Sequence, residues 1–284
     1  IILIEKNGEV IFEKEHDECG DCDPYDIFKQ VSSREIFEFS CEVELDKIRF
    51  IGQAASLNRA LSNEGLRENY GLHIGRTLRK QVSSGLMSDD LLSKIMIETT
   101  AASDARMGGA TLPAMSNSGS GNQGIAATMP VVVVADYLNV SEEKRLRALF
   151  LSHLMAIYIH SKLPKLSALC AVTTASMGSC AGIAYLLTGK FETVSMGICS
   201  MIGDISGIIC DGASNSCAMK VSTSVASGYK SVLMAMDETH VTGNEGIVEH
   251  DLDRTIDNLC SIASKSMHHI DRQVIEIMVS KPCP

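Results

Sequence analysis

Helical periodicity dominates the chain from about Gln53 onward. Apolar residues recur at helical spacing in AASLNRALSNEG, and the pattern returns in LMSDDLLSKIMIETTAASDARMGG and SEEKRLRALFLSHLMAIYIHSKL. The run Ser88-Asp89-Asp90 and the later Ser141 are typical helix starts, because their side chains can accept from free backbone N–H groups. Further helices are predicted over 192–209, 219–237 and 251–280.

The N-terminal part has a different pattern. In IILIEKNGEVIFEKE, apolar alternation flanks Asn7-Gly8, the strongest two-residue signal for a β-hairpin. The polar segment HDECGDCDPYD follows, and IFEFSCEVELDKIRFIG is ambiguous between strand and helix. We therefore expect an α+β, predominantly α fold, with a small mixed part over 1–50 that contains a β-hairpin and a helical domain over 51–284.

A glycine-rich segment, SNSGSGNQG (116–124), interrupts the helical pattern and predicts a loop. Pro130 fits the first turn of a following helix, although Val131 to Val134 would favour a strand by propensity alone. A loop of this composition before a helix can present N–H and hydroxyl donors to a carboxylate or a phosphate. It is neither a P-loop nor a dinucleotide fingerprint, and an ordinary irregular loop is the alternative.

Composition and charge exclude some functions. The chain has 284 residues, is 45% hydrophobic and carries a formal net charge of −10. It can therefore bury a sizeable core, and it lacks the clustered cations that nucleic-acid binding needs. The charged residues within IILIEKNGEV argue against a signal peptide, so we expect a cytoplasmic protein.

One segment has the length of a membrane span. LCAVTTASMGSCAGIAYLLTG (169–189) is uncharged, and Gly178 and Gly182 form a GxxxG pattern. The hydroxyls of Thr173, Thr174, Ser176 and Ser179 lower its hydrophobicity. We interpret it as a buried helix with a face of small residues and expect no membrane partner.

Ten cysteines are many for a chain that is large enough to fold without disulfides. In a reducing compartment, grouped thiols more often indicate a metal site or catalysis. Cys210 and Cys217 flank CDGASNSC, a spacing too wide for a zinc knuckle. Cys170 follows a Pro-containing turn at an expected helix start, where the helix dipole would lower its pKa. Three thiols without an obvious fourth ligand suggest an iron–sulfur cluster with one open iron; three buried packing residues are the alternative.

The remaining candidates favour structural interpretations. Cys19 and Cys22 lie among aspartates, and an exposed acidic loop is preferred over half a zinc site. Cys283, in KPCP, is interpreted as a loose tail rather than a residue that folds back onto a metal. Packing is expected for Cys180, Cys199, Cys260, His153 and His160.

Taken together, SNSGSGNQGI, KLSALC and GDISGIICDGASNSCAMKVSTS resemble the iron–sulfur L-cysteine desulfidases, relatives of the bacterial iron–sulfur L-serine dehydratase alpha chain. The resemblance runs from roughly residue 50 to 280. It implies that Cys170, Cys210 and Cys217 hold a [4Fe-4S] cluster whose fourth iron is left for substrate. It also implies contacts with the substrate carboxylate from Ser118, Ser120, Asn122 and Gln123.

The activity implied by the resemblance is a β-elimination that needs no pyridoxal phosphate and converts L-cysteine to pyruvate, ammonia and sulfide. L-serine dehydration is one alternative, and a non-catalytic, cluster-bearing amino-acid-binding protein is another. The resemblance is compatible with a homodimer. The family's N-terminal Gly-Cys-Thr-Glu-Pro motif, whose cysteine is thought to be the base, is absent from this sequence. Either that segment was lost or left out of this chain, or the protein is inactive; no general base is named.

Overall fold

The computed structural model describes residues 2–6, 9–14, 26–164 and 167–282. It divides the chain into two units, Ile1–Val31 and Ser32–Pro284. In the first unit, strands β1 (Ile2–Lys6) and β2 (Glu9–Lys14) pair antiparallel, and a 3₁₀ turn spans Asp26–Lys29. The predicted turn at Asn7-Gly8 and the thiols of Cys19, Cys22 and Cys283 lie outside the described residues.

The second unit is built from helices. Short 3₁₀ and π-helical turns extend two of them, at Arg49–Ile51 and Ile262–Ser266. The helices are α1 (Ser33–Glu42), α2 (Leu45–Ile48), α3 (Gly52–Arg67), α4 (Ile74–Ser83), α5 (Leu91–Met107), α6 (Gly121–Tyr137), α7 (Glu142–Ser161), α8 (Ala171–Leu187), α9 (Phe191–Ile205), α10 (Cys217–Met236), α11 (Leu252–Ser261) and α12 (His268–Ser280).

The expected α+β class is wrong, because the fold is all-α. Apart from two isolated bridges, the described residues of the second unit contain no β-structure, and the ambiguous segment before residue 50 forms α1 and α2. A two-stranded ribbon has too little apolar face to make a layer of a fold. The structural division follows Val31, so α1 and α2 belong to the helical unit, whereas the sequence analysis placed a boundary at residue 50.

Several helix ends follow directly from local sequence. The Asp90 carboxylate accepts from the Ser93 backbone N–H (2.8 Å) and caps α5. The Ser141 hydroxyl accepts from the Lys144 N–H (3.3 Å) and caps α7, and Cys170 is the N-cap residue of α8. Side-chain caps of this kind satisfy N–H groups that the helix itself leaves free, which confirms the predicted starts.

Helix α6 differs from the expectation in its starting residue and in the position of Pro130. It begins at Gly121, so the second part of the predicted loop 116–124 is helical, and Pro130 lies in the helix interior rather than in its first turn. Positions 121–135 are buried all round, so the segment has no amphipathic periodicity to mark its start. Burial on every side offsets the cost of an interior proline, about 3 kcal/mol.

Helices α7 and α8 pack antiparallel at very short distance. A Cβ atom on Gly178 would lie 2.3 Å from the Ser152 carbonyl oxygen, and one on Gly182 would lie 2.8 Å from that of Ala148. The GxxxG pattern is therefore a helix contact inside the core, as the buried-helix interpretation expected. No helix in the described part of the chain combines the length and hydropathy of a membrane span.

Helices α6 and α10 run parallel to α8. The Ser152 hydroxyl of α7 donates to the Ala127 carbonyl of α6 (2.7 Å), and Val131 of α6 contacts Gly182 of α8, so α6 also runs opposite to α7. Gly228 of α10 lies level with Ser176 of α8, and one turn later Val232 of α10 and Cys180 of α8 approach Gly197 of α9. The N-termini of α6, α8 and α10 therefore lie at the same end of the helical unit.

We predict that Gly178→Ala lowers the free energy of unfolding by about 1–3 kcal/mol, because the new methyl group would clash with the backbone of α7. Thermal unfolding checks this, and the melting temperature should fall by at least a few degrees. Gly207→Ala is the matched control, since an added Cβ there meets no atom within 4 Å. Equal melting temperatures for the two variants would contradict the close helix contact.

Candidate functional site

Cys170 and Cys210 are brought together by a short backbone pairing. Leu169 and Ile209 form an isolated antiparallel bridge, the Cys170 N–H donates to the Ile208 carbonyl (2.9 Å), and the Cys210 N–H donates to the Ala168 carbonyl (2.7 Å). Opposed residues of an antiparallel pair point to one face, and alternate residues of a strand share a face. Both thiols therefore lie on the face opposite to Leu169 and Ile209.

Cys217 completes the set as the first residue of α10. Its sulfur accepts from the Ser214 N–H (3.4 Å) and lies 3.5 Å from the Gly212 carbonyl oxygen. Gly212 has a φ of +92°, so the turn needs a residue without a Cβ. The three thiols are free, and Cys210 and Cys217 are only half-buried.

Burial and neighbouring charges have opposing effects on the pKa values of Cys170 and Lys220. Burial raises the pKa of the Cys170 thiol, and the neighbouring Cys210 and Cys217 raise it further, while the Val172 backbone N–H and Lys220 lower it. The expected lowering at the helix start is thus outweighed by desolvation, which corrects the sequence interpretation. Partial burial disfavours the charged form of Lys220, but its ion pair with Asp211 and the nearby thiols raise its pKa overall.

Three free cysteine thiols match an iron–sulfur cluster in the chemistry of their donor atoms. Among the described residues, no three His, Cys, Asp or Glu side chains lie close enough to share one metal ion. A cluster of several iron and sulfide atoms holds its ligand sulfurs farther apart than one ion does, and cysteine thiolates are its usual ligands. Cys210 and Cys217 act electrostatically on Cys170, so the three thiols are neighbours, whereas Cys180 lies fully buried against α9.

The glycine-rich segment begins with a tight turn. Asn117 and Ser120 exchange backbone hydrogen bonds of 3.1 and 3.0 Å, and Ser118 and Gly119 between them have φ values of 47° and 83°. Positive φ at both central residues is the geometry of a type I′ turn. The Ser118 hydroxyl donates to the Asn117 side-chain oxygen (2.9 Å). Ser118 and Ser120 are half-exposed at the N-terminus of α6.

Asn122 and Gln123 lie in the first turn of α6 with both side chains almost completely buried. The Asn122 side-chain oxygen accepts from the Ser103 hydroxyl (3.2 Å), and the Gln123 side-chain oxygen has no partner among the described residues. An unsatisfied buried polar atom costs about 1–3 kcal/mol and calls for an explanation such as a bound molecule. The structure thus groups the four predicted contact residues, and their role in substrate binding stays a prediction.

A chain of contacts links the glycine-rich turn to the thiols. A Cβ on Gly71, in the turn before α4, would lie 3.0 Å from the side chain of Asn215, which belongs to the loop 210–217 (the cysteine loop). The same Cβ would lie 3.4 Å from the Asp104 carbonyl oxygen of α5. Two residues farther along α5, Arg106 covers Gly121 at the start of α6. The starts of α4, α6 and α10 and the end of α5 therefore lie close together, consistent with the parallel course of α6, α8 and α10.

Arg106 is a candidate that the sequence analysis missed. A Cβ on Gly121 would lie 2.2 Å from its Nε atom, so the guanidinium stem rests directly on the N-terminus of α6. Arg106 is half-exposed and has no ion-pair partner among the described residues. The sequence places it in DARMGG at a helix end, and only the fold brings that end beside the glycine-rich turn.

Two buried ionisable residues, Asp104 and His153, lie near the glycine-rich turn. One Asp104 carboxylate oxygen accepts from the Gly75 N–H (2.8 Å) at the start of α4, the other has no partner among the described residues, and burial raises the pKa of Asp104 to about 6. His153 contacts Thr128 (2.9 Å) and Asn117 (3.1 Å) through its two ring nitrogens, and burial lowers its pKa to about 4. His153 is therefore packed in the core, as expected.

The chain belongs to the serine dehydratase alpha chain family, whose model matches residues 10–276. It is 73% identical to a UPF0597 protein of Actinobacillus pleuropneumoniae serotype 3 (strain JL03) and 64% identical to one of Dichelobacter nodosus (strain VCS1703A). It is 60% identical to the UPF0597 protein YhaM of Escherichia coli O1:K1 / APEC. Each alignment covers 99% of this chain, which spans 65% of the length of these relatives. No solved structure matches the chain.

We predict that Asp104→Asn removes a pH-dependent penalty on folding. Because the folded pKa of about 6 exceeds the usual 3.8, the folded state holds an extra proton between these values, and stability falls as pH rises through this window. The penalty above pH 6 is at most about 3 kcal/mol. Asparagine keeps an oxygen acceptor for the Gly75 N–H without the charge.

Thermal unfolding of Asp104→Asn and the parent from about pH 4.5 to pH 8 checks this prediction. The stability of the variant relative to the parent should increase with pH. His153, with its lowered pKa, changes stability in the opposite direction over the same range, but it is present in both proteins and cancels in the difference. A difference that stays constant with pH would show that Asp104 does not titrate as stated.

Proposed function

We propose that this chain is the helical domain of an iron–sulfur-dependent lyase that eliminates the β-substituent of a small L-α-amino acid. L-cysteine is the proposed substrate, with pyruvate, ammonia and sulfide as products and no need for pyridoxal phosphate. The observation that carries the proposal is the convergence of three thiols and a donor-rich turn at the N-termini of α6, α8 and α10. Membership of the serine dehydratase alpha chain family supports the reaction class.

Cys170, Cys210 and Cys217 are the proposed ligands of a [4Fe-4S] cluster. Such a cluster, with one iron free of protein ligands, supplies a Lewis acid that stabilises negative charge on a leaving group. Cys170 lies at the N-terminus of α8 and Cys217 at that of α10, and Lys220 adds a positive charge near both. At Cys170 these features oppose the desolvation, which still raises the pKa of the free thiol overall.

The proposed role of the glycine-rich turn is to hold the substrate carboxylate. Ser118 and Ser120 offer half-exposed hydroxyls, and the free N–H groups at the start of α6 point towards the same end. We add Arg106, because its guanidinium lies over Gly121 and can form a charge-assisted bond with a carboxylate. Asn122 and Gln123 are the proposed buried contacts, and the unpartnered oxygen of Gln123 can accept from the substrate ammonium group.

L-serine dehydration is the second candidate, favoured by the name of the matching family. The same binding residues would serve it, with hydroxide instead of hydrosulfide as the leaving group. A protein that binds the amino acid and the cluster without turnover is the third. The cytoplasm is the proposed setting, because a cluster held by half-buried thiols needs reducing conditions.

We predict that Cys210→Ser abolishes cluster assembly, because a serine hydroxyl is a poor ligand for iron compared with a thiolate. Iron and acid-labile sulfide are measured after anaerobic reconstitution of the full-length protein. Cys41→Ser, which changes a half-buried thiol of α1 outside the site, is the matched control and should keep the parent iron content. Unchanged iron in Cys210→Ser would remove Cys210 from the ligand set.

The same anaerobic preparations distinguish the three candidate functions. Sulfide release from L-cysteine supports the desulfidase, and pyruvate release from L-serine without sulfide release from L-cysteine supports the dehydratase. A full cluster with binding but no turnover of either amino acid would refute both enzymes and leave the binding protein.

We predict that Arg106→Gln raises KM for the amino acid about tenfold to a hundredfold, the loss expected for one charge-assisted hydrogen bond, while the iron content stays at the parent level. Arg106→Lys should recover part of the affinity because it restores the charge without the fork of donors. Steady-state kinetics and iron analysis check both variants. An unchanged KM in Arg106→Gln would exclude a contact with the carboxylate.

A further inference from the structure

A basic groove runs along α4, and we define it by Asn69, His73, Arg76, Arg79 and Lys80. It has a volume of about 510 Å³, and two hydroxyl residues complete its lining. No carboxylate side chain is among its described lining residues. In a chain with a formal net charge of −10, this groove is a local reversal of sign.

The cations of the basic groove lack ion-pair partners among the described residues. Arg76, Arg79 and Lys80 form no ion pair with any described residue, although nearby Arg67 pairs with Glu64. Most other arginines of the helical unit lie against a carboxylate. Three neighbouring positive charges repel one another, and this repulsion is relieved when an external anion binds between them.

Two of the guanidinium groups are already held in place. Arg76 donates from Nη1 to the Asn69 side-chain oxygen (2.6 Å), and Arg79 donates from Nη2 to the Leu66 carbonyl (2.8 Å). Each of these bonds uses one side of a planar group that has five N–H donors, and the others stay available. Fixing a side chain before binding lowers the entropy that a ligand must offset.

We propose that the basic groove binds a phosphate-bearing anion. A phosphate group carries up to two negative charges on oxygens that match the fork of an arginine, so it neutralises this cluster better than a single carboxylate does. Pyrophosphate, with more charge, should bind more tightly than inorganic phosphate. The groove is confined to one short helix and the turn before it, which suits a small ligand rather than a nucleic acid.

The proposal stands apart from the cluster chemistry. None of the three thiols, and none of the four predicted carboxylate contacts, lines the basic groove. The N-terminus of α4 is fixed by Asp104, and the turn before it contacts Asn215 of the cysteine loop, so the groove adjoins the candidate site without sharing residues with it. Phosphate binding can therefore be measured in protein that contains no iron.

Isothermal titration of the full-length protein with inorganic phosphate, pyrophosphate and a small phosphate monoester, at constant ionic strength, tests the proposal. We expect saturable binding of pyrophosphate that Arg76→Gln/Arg79→Gln weakens at least about tenfold, because two forked donors are lost. The affinity of Arg76→Lys/Arg79→Lys for pyrophosphate should lie between that of the parent and that of the double glutamine variant. Tighter binding of the monoester than of inorganic phosphate would indicate an organic ligand, and the reverse order would indicate the free ion.

Arg254→Gln/Arg272→Gln is the matched control. It removes the same charge from two exposed arginines of α11 and α12 that form no ion pair with a described residue, and it should bind pyrophosphate like the parent. Equal weakening in both double variants would show a general charge effect and overturn the site. Absence of saturable binding of pyrophosphate to the parent would overturn it as well.

Discussion

The arrangement of the helical unit depends on backbone contact between α7 and α8. Gly178 and Gly182 let α8 approach the carbonyl groups of α7 to a distance that no side chain permits. Helix α6 contacts both α7 and α8 and runs parallel to α8, and α10 packs parallel to α8 as well. The N-termini of α6, α8 and α10 are thereby placed at one end of the helical unit. The three thiols and the glycine-rich turn lie at that end.

This geometry sets two opposing effects on the thiols. Helix N-termini favour negative charge, while the burial that the close packing requires disfavours it. At Cys170 burial dominates in the protein without a bound group, so its thiol holds its proton more tightly than a thiol in water. A metal centre bound through Cys170 would reverse this balance, because a metal ligand loses its proton on binding. Binding of such a group and ionisation of Cys170 would thus be coupled.

The sequence was sufficient where a local signal determines a local structure. The caps at Asp90 and Ser141 and the helix start at Cys170 follow from single side chains and their neighbours in the chain. It failed for α6, whose burial on all sides leaves no periodicity and whose Pro130 indicated a later start. The predicted α+β class was wrong because two clear strand patterns were taken to form a β-layer of the fold, whereas they form only a two-stranded ribbon.

The site itself was predictable only in part. The resemblance picked out three thiols that are separated by up to forty-seven positions, and the fold brings them to one end. Arg106 could not be found in this way, because its relation to Gly121 arises from the packing of α5 against α6 and not from a motif. The same applies to the basic groove, because only the structure shows that its cations lie together without an ion pair to any described residue.

The alternation of helix direction divides the connections of the chain into two groups. The loops after α6, α8 and α10, at 138–141, 188–190 and 237–251, all leave from the end opposite to the thiols. The loops 138–141 and 188–190 are short, whereas the loop 237–251 also folds back on α9, where Val241 contacts Ser200 and Gly203. The two short loops can therefore vary in sequence, for instance to fit new neighbours in an assembly, with less effect on the candidate site than changes in the long loop.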